Sequence, residues 1–250
     1  MTFHQLNSIE IRNSISESPP LTKEDFLRGF KELDETILRD SFLSTFITAF
    51  NPLRLLTAGP LYAVNYIESR PSYPAAEFIM EPEWVNDPDM KIPFLEAIAR
   101  VSETLNLSKT WMVEEPQLYL TKEIRNRLFD RAEREQLVIF KGRFFHIYAS
   151  PIEWPLERRM RSIYGTSGPE TDLEIIDALA ILKRMRDKAG DVLDREYIRT
   201  LNINGFDMVP DTFTMDLVER AYRAKYGEEI FTPFDKNKYG LRNQRPDLIL

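Results

Sequence analysis

Apolar positions along the chain follow two different periods. Between Phe26 and Leu38 they recur every three or four residues, which is the spacing of a helix with one buried face. Elsewhere they form short continuous runs such as 76–80, whose length is typical of buried strands. Thr22 and Asp25 have the spacing of a capping box, so the first helix is predicted to begin there. The two periods together predict an α+β fold.

The same patterns predict the remaining elements. Strands are predicted over 54–57, 76–80, 137–140 and 143–149, the last two as a hairpin around Lys141 and Gly142. Helices are predicted over 61–68, 94–105, 121–135, 171–188, 195–198 and 212–226, with a proline-containing loop over 82–93. We expect a loose N-terminal arm over 1–20, a single domain over 21–230 with a helical C-terminal part, and a polar tail over 231–250.

One stretch, residues 54–83, brings strand, turn and helix close together in the sequence. A strand runs into a turn at Gly59, and a helix follows Pro60, which suits a first helical position. Glycine can adopt the backbone angles that a tight strand-to-helix turn needs. A polar loop containing Arg70 and Ser72 then leads into the next strand.

This stretch resembles the opening of the nucleotidyltransferase fold, most closely in fungal proteins with that fold. In that family a glycine turn precedes a helix, an Arg-x-Ser/Thr loop and a strand with an Asp-x-Asp pair. The pair binds the magnesium ion that bridges a nucleoside triphosphate. Gly59, Arg70 and Ser72 match this frame. The two aspartates, however, fall on Ala75 and Glu77.

The resemblance spans about residues 53–226 and implies a nucleotidyltransferase-like mixed sheet flanked by helices. It also implies that nucleotidyl transfer has been lost. Glu77 alone is a poor magnesium site, because magnesium needs near-octahedral oxygen ligation. Pro60 lacks a backbone N–H that a phosphate would use, and a third carboxylate has no evident counterpart in the later strands. We therefore expect no metal ion and no cofactor.

A second segment of the resemblance runs from Ser150 to Met160. In the family this segment begins the helix after the core sheet, with a basic residue near the position of Arg158 facing the cleft. Glu174 and Asp177 lie where relatives often have an Asp-x-x-Asp pair. At a spacing of three they share a helix face, so they are expected to orient the region of Arg158.

Composition narrows the classes of function. A net charge of −7 and a pI near 5.1 provide no general attraction for nucleic acid, so no nucleic-acid partner is expected. The sequence has no cysteine, which excludes disulfides and thiolate chemistry, and its two histidines are His4 and His146. Apolar runs are shorter than a membrane span, and the start lacks the apolar region of a signal peptide. We expect a cytoplasmic protein with no membrane partner.

Uncharged residues occupy positions of the predicted site where the resemblance implies polar and acidic groups, as in the run 73–76. Apolar lining suits a pocket for an apolar small molecule. The residues expected to take part in catalysis are Arg70, Tyr73, Glu77 and His146. The residues expected to bind substrate are Gly59, Tyr62, Tyr66, Ser72, Phe78, Trp154 and Arg158.

Structural roles are open for the same residues. Gly59 serves the turn in any protein, and Arg70 can pair with a carboxylate of the scaffold. Glu77 can act as a general base or as a hydrogen-bond acceptor. Alternation along the strand places His146 on one face together with Phe144 and Tyr148. His146 can therefore also be an ordinary histidine of the sheet with no functional role.

Three functions are compatible with the sequence. The first is a repurposed enzyme of fungal secondary metabolism. Its reaction would be a metal-free cyclisation, pericyclic (Diels–Alder-type) or rearrangement step on an apolar metabolite such as a terpenoid. Such a reaction needs a folded substrate and hydrogen-bond donors that polarise a carbonyl. The second is a catalytically inactive binding or regulatory protein. The third is residual magnesium-dependent nucleotidyl transfer, which would need two further carboxylates near Glu77.

Overall fold

The computed structural model describes residues 19–114, 120–165, 169–203, 205 and 208–234. The chain divides into two compact units, Met1–Pro151 and Ile152–Leu250, and each is described by itself. The predicted N-terminal arm lies outside the described residues up to residue 18, and so does the predicted tail beyond residue 234. The single domain predicted over 21–230 stays a prediction.

The first unit is built on a five-stranded mixed sheet. The described strands are β1 (Leu21–Thr22), β2 (Leu53–Thr57), β3 (Ser72–Tyr73), β4 (Ala76–Met80), β5 (Met112–Glu114), β6 (Val138–Lys141) and β7 (Phe145–Ala149). The main sheet has the order β5-β4-β2-β7-β6, and β1 pairs with β3 in a small second sheet. The central strand β2 is parallel to β7 and antiparallel to β4. The α+β class is confirmed, and so is the antiparallel hairpin of β6 and β7.

Five described helices belong to the first unit. They are α1 (Lys23–Arg39), α2 (Ser41–Phe50), α3 (Pro60–Asn65), α4 (Pro88–Leu105) and α5 (Lys122–Arg134). The helices α1, α2 and α4 contribute with one face of the sheet to the main hydrophobic core. Within that core the Phe94 ring lies 6.2 Å from both the Phe78 and the Phe145 ring, measured between centroids. Apolar side chains on one face of the sheet therefore pack the strands against these helices.

The opposite face of the sheet is in contact with α5. The Arg54 guanidinium carbon on β2 lies 5.8 Å from the centroid of the Phe129 ring on α5. Alternation along β2 turns Arg54 and Leu56 to this side and Leu53 and Leu55 to the main core. The sheet thus has helices on both faces.

Two helix boundaries differ from their predictions. The helix expected over 94–105 begins at Pro88, because Asp87 caps its first turn and proline is tolerated at the first helical position. Pro93 lies inside this helix, where it costs one backbone hydrogen bond but does not end it. The helix expected over 61–68 ends at Asn65, and Glu68 has a positive φ of 57°. The capping box of Thr22 and Asp25 is confirmed.

The described part of the second unit is mainly helical. Its helices are α6 (Glu153–Gly165), α7 (Pro169–Ala189), α8 (Arg195–Arg199) and α9 (Thr212–Tyr226). Phe231, at the start of the predicted tail, is buried and forms an isolated bridge with Leu193. None of the helices in the described ranges of either unit has the length and apolar content needed to cross a bilayer.

Candidate functional site

The candidate site begins where Gly59 approaches Glu77. Gly59 follows the end of β2, and Glu77 is the second residue of β4. A β-carbon added at Gly59 would lie 2.7 Å from Oε2 of Glu77, which is closer than atoms in proteins pack. Gly59 has a φ of −88°, so the left-handed backbone is not the reason for glycine here. Its lack of a side chain makes room for the Glu77 carboxylate.

Strand register places two further residues beside Glu77. Leu56 is opposite Ile79, and Thr57 is opposite Ala149. Extending the β2–β4 register by two residues pairs Ala58 with Glu77, and extending the β2–β7 register by one residue pairs Ala58 with Ser150. The hydrogen bond of 2.9 Å from the Ser150 N–H to the Thr57 carbonyl supports this continuation. Residues in one row across a sheet share a face, so these three side chains lie on the face opposite the main core.

The row of Glu77, Ala58 and Ser150 is bordered by an apolar row. Ile79, Leu56 and Tyr148 are in register one step further along the same face, and all three are at least 96% buried. Ala58 is 1% exposed, whereas Glu77 is partly exposed. The carboxylate of the partly exposed Glu77 therefore adjoins a buried apolar surface. We call Glu77, Ala58, Ser150 and Gly59 the strand-end site.

Two of the polar side chains at these strand ends are buried without satisfying their hydrogen bonds. The Thr57 and Ser150 hydroxyls have no hydrogen-bond partner among the described residues, and the two residues are 1% and 0% exposed. Thr57 belongs to the row of Phe78 and Ala149, on the side of the main core. Ser150 belongs to the row of Glu77. Sequence reasoning missed Ser150 as a site residue, because nothing local marks a serine after a strand.

Tyr62 and Tyr66, both predicted to bind substrate, contact each other, and Arg70 contacts Tyr73, both of which are predicted to take part in catalysis. The rings of Tyr62 and Tyr66 lie 5.1 Å apart, with Tyr62 buried and Tyr66 partly exposed. The Arg70 guanidinium carbon lies 5.7 Å from the centroid of the Tyr73 ring, within the range of a cation–π contact. Ser72 pairs with Thr22 through the small sheet.

Phe78 lies on the opposite face of the sheet from Glu77. It follows Glu77 directly in β4, so its side chain points to the opposite face of the sheet. Its ring is fully buried in the main core against Phe94. The structure therefore does not bring Phe78 together with the Glu77 carboxylate.

His146 is also distant from Glu77. It pairs in register with Arg54, four residues from Ala58 along β2, which corresponds to about 13 Å at the rise of a strand. Its Nδ1 lies 3.3 Å from the Tyr148 hydroxyl, as the shared face predicted. Burial, and then the charge of Lys141, lower the pKa of His146 below its ordinary value.

The row of His146 contains an ion-pair network that the sequence analysis did not single out. Arg54 donates hydrogen bonds of 2.8 Å to Glu81 and to Glu133. Burial raises the pKa of Glu81 despite the hydrogen bonds from Arg54, which act in the opposite direction. An arginine within an otherwise apolar strand was the available signal. The network connects the sheet to α5 and lies away from the strand-end site.

Trp154 and Arg158 belong to the second unit. Both are on α6, and the Arg158 guanidinium carbon lies 5.6 Å from the centroid of the Trp154 ring system. The neighbouring Arg159 is the residue that pairs with the predicted carboxylates, at 3.1 Å from Glu174 and 3.2 Å from Asp177. The shared face of these carboxylates is confirmed, and they hold the residue next to Arg158.

Comparisons with known proteins identify no family. No family model matches the chain, and neither a curated protein nor a solved structure matches it. Within the described ranges, no three histidine, aspartate or glutamate side chains form a group that could hold a metal ion. The described residues form an α+β protein in which Glu77, at the start of β4, lies beside the ends of the parallel strands β2 and β7.

Proposed function

We propose that this chain is a metal-independent enzyme of fungal secondary metabolism on a nucleotidyltransferase-like scaffold. It binds an apolar small molecule such as a terpenoid at the strand-end site and catalyses a cyclisation, pericyclic or rearrangement step. Its expected location is the cytoplasm. The observation that carries this proposal is the close approach of the Glu77 carboxylate to Gly59 beside a buried apolar surface.

The residues around Glu77 support an apolar ligand rather than a nucleotide. Ala75, which takes the place of the first aspartate in the resemblance, is 0% exposed. Ala58 separates Glu77 from Ser150 with a single methyl group. A carboxylate in such surroundings is suited to proton transfer or hydrogen bonding with a neutral molecule, whereas it repels a triphosphate.

The proposed reactions need no second reactant. In a cycloaddition of the Diels–Alder type, two π bonds become two σ bonds within one substrate, and no proton is gained or lost. In a cyclisation or rearrangement, Glu77 removes a proton from one atom of the substrate and returns it to another. Arg70 and Tyr73, which the sequence predicts to take part in catalysis, are the groups proposed to donate hydrogen bonds to a substrate carbonyl. Substrate and product therefore have the same molecular formula.

The ligand class can be tested by thermal unfolding of the full chain. One set of samples contains magnesium and nucleoside triphosphates, and the other contains terpenoid and polyketide compounds. A ligand that binds the folded state raises the melting temperature by mass action. The proposal predicts stabilisation by apolar compounds alone, and weaker stabilisation of a Tyr73→Ala variant.

Two outcomes would contradict the proposed enzyme. Stabilisation by magnesium and nucleotide alone would favour residual nucleotidyl transfer. If apolar compounds stabilise the protein but it converts none of the compounds in the panel, the result would favour a binding or regulatory protein. The second outcome is detected by mass spectrometry combined with chromatography, because an isomer has the same mass but a different retention time.

A further inference from the structure

The helix α2 exposes aromatic side chains to solvent. Phe42 is 56% exposed and Phe50 is 53% exposed, and Phe46 between them is partly exposed. The ring centroids of Phe42 and Phe46 lie 6.0 Å apart, and those of Phe46 and Phe50 lie 5.1 Å apart. The three rings therefore form a continuous ridge on the surface of the first unit. Contiguous exposed apolar surface of this kind commonly marks a site of interaction.

Trp84 holds this ridge in place. Its ring packs edge-on against Phe46 and Phe50, with centroid distances of 5.9 and 5.4 Å. The backbone N–H of Trp84 donates a hydrogen bond of 3.1 Å to the Glu81 carbonyl, which ties this loop to the end of β4. Rings that are fixed before binding lose little conformational freedom on association.

A row of small side chains runs beside the aromatic ridge. Ser41, Thr45 and Ala49 are spaced four residues apart, as the three phenylalanines are, and each of them is exposed. Rows of this spacing run parallel to each other on a helix surface, and the ridges of one helix pack into the grooves of another. The ridge of one copy of α2 can therefore lie over the small row of a second copy, and a two-fold axis repeats the same fit. We call the ridge and this small row the α2 face.

The distribution of charge also favours a second copy as the occupant of the α2 face. No charged residue occurs between Asp40 and Arg54, although 29% of the residues of the chain are charged. The Asp40 carboxylate caps α2 and lies 3.1 Å from the Arg100 guanidinium, which balances its charge. Because the net charge of the chain is −7, two copies repel each other in general. An uncharged face is where they can meet without placing like charges together.

We propose that the α2 face is the interface of a symmetric homodimer. The two helices cross near their midpoints, so Thr45 of one protomer lies close to Thr45 of the partner subunit, and each ridge covers the small row of the other protomer. One helix and one adjoining loop form an interface at the small end of specific interfaces, so we expect a dimer that dissociates on dilution. The proposal is independent of the proposed function, because it uses no residue of the strand-end site.

The dimer is tested by sedimentation velocity of the full chain over a range of concentrations. We expect the wild type to change from monomer towards dimer between about 1 and about 200 µM, as suits a weak interface. Phe42→Asp should weaken association about tenfold or more, because it removes a ring from both protomers and adds two negative charges to the interface. An aspartate is favourable in the first turn of a helix, so the melting temperature of the dilute monomer should stay close to that of the wild type.

Phe213→Asp is the matched control for Phe42→Asp. Phe213 is 68% exposed and is the second residue of α9, as Phe42 is of α2, and an aspartate caps each of these helices. This variant should dimerise as the wild type does. An equal loss of association in both variants would show a general effect of added surface charge and would contradict the proposal.

A pair of variants at Thr45 tests the two-fold arrangement. Thr45→Lys and Thr45→Asp each place like charges opposite each other in the proposed dimer, so each variant by itself should be monomeric. An equimolar mixture of the two should form heterodimers, because opposite charges then face each other. A mixture that stays monomeric would contradict the proposed crossing of the two helices.

The behaviour of the wild type provides the remaining outcomes. A wild type that stays monomeric up to the highest concentration would overturn the proposal. If this monomer instead sediments with vesicles of neutral phosphatidylcholine, the α2 face would be assigned to a lipid surface. A dimer that persists unchanged in Phe42→Asp would place the interface on another surface and would also overturn the proposal.

Discussion

Gly59 and Gly29 show that two glycines can be required for different reasons. At Gly59 an added methyl group would meet the end of the flexible Glu77 side chain. At Gly29 it would lie 2.5 Å from the ring of Trp111, which is fully buried. The Glu77 side chain can rotate away, whereas the Trp111 ring is held within the core. The same substitution is therefore expected to affect activity at one position and stability at the other.

Gly59→Ala should displace the Glu77 carboxylate and leave the fold intact. We expect turnover to fall about tenfold or more, since a misplaced catalytic group reduces rate strongly even for small shifts. The melting temperature should stay close to that of the wild type. Gly165→Ala is the matched control, because a β-carbon there meets no described atom within 4 Å. Unchanged turnover in Gly59→Ala would show that the approach to Glu77 is unimportant.

Gly29→Ala should destabilise the first unit. The ring nitrogen of Trp111 donates a hydrogen bond of 3.1 Å to the Ile98 carbonyl, so the ring cannot shift without loss. We expect the free energy of unfolding to fall by about 1–3 kcal/mol, the usual cost of overpacking a core. Urea denaturation measures this change, and an unaltered midpoint would mean that the core accommodates the methyl group.

At the scale of elements, β7 links the strand-end site to the charged row of the sheet. Ser150 follows one end of this strand, and His146 lies near the other, beside Arg54. The surroundings of His146 include Lys141, which lowers its pKa, and Glu133 and Asp34, which raise it. Burial is the largest effect, and the net pKa is below the ordinary value of 6.5.

This lowered pKa predicts how stability depends on pH. As the pH falls through 6.5, the unfolded chain binds a proton at His146 before the folded chain does. The stability that neutral His146 contributes above pH 6.5 is therefore lost as the pH falls towards the folded pKa. His146→Gln should show a smaller decrease in stability between about pH 7.5 and about pH 5.5, measured by urea denaturation.

His4→Gln is the control for this experiment, because His4 is the other histidine of the sequence. It should keep the decrease in stability seen in the wild type. If His4→Gln rather than His146→Gln removed the decrease, the assignment to the sheet histidine would be wrong.

Local patterns predicted most elements, because helices and strands depend on the periodicity of neighbouring residues. The capping box at Thr22 and the strand 76–80 were readable in this way. The start of α4 was missed because Pro88 and Pro93 favour a loop, whereas Asp87 provides a cap that allows the helix. Alternation alone separates Phe78 from Glu77, since adjacent strand residues point to opposite faces.

At the scale of the whole molecule, the candidate site depends on contacts between distant parts of the sequence. Ala58 and Ser150 are neighbours only because β2 and β7 pair in parallel across about 90 residues of chain. No local pattern specifies that register, so Ser150 could not be predicted as a site residue. The pairing of Arg54 with Glu81 and Glu133 is hidden from local patterns for the same reason.

The central claim is that Glu77 acts without a metal ion on a substrate that is converted to an isomer. The most direct test incubates the wild type with a compound that stabilises it, in the presence of excess metal chelator, and follows the formation of an isomer. We expect turnover to persist with chelator. For a cyclisation or rearrangement with proton transfer, we expect it to fall about 10²- to 10⁴-fold in Glu77→Gln, the range for loss of a general base.

Glu96→Gln is the matched control, because Glu96 is an exposed carboxylate on α4 of the same unit. It should turn over substrate at the rate of the wild type. Isomer formation that requires a metal ion, or that proceeds equally well in Glu77→Gln, would contradict the proposed mechanism.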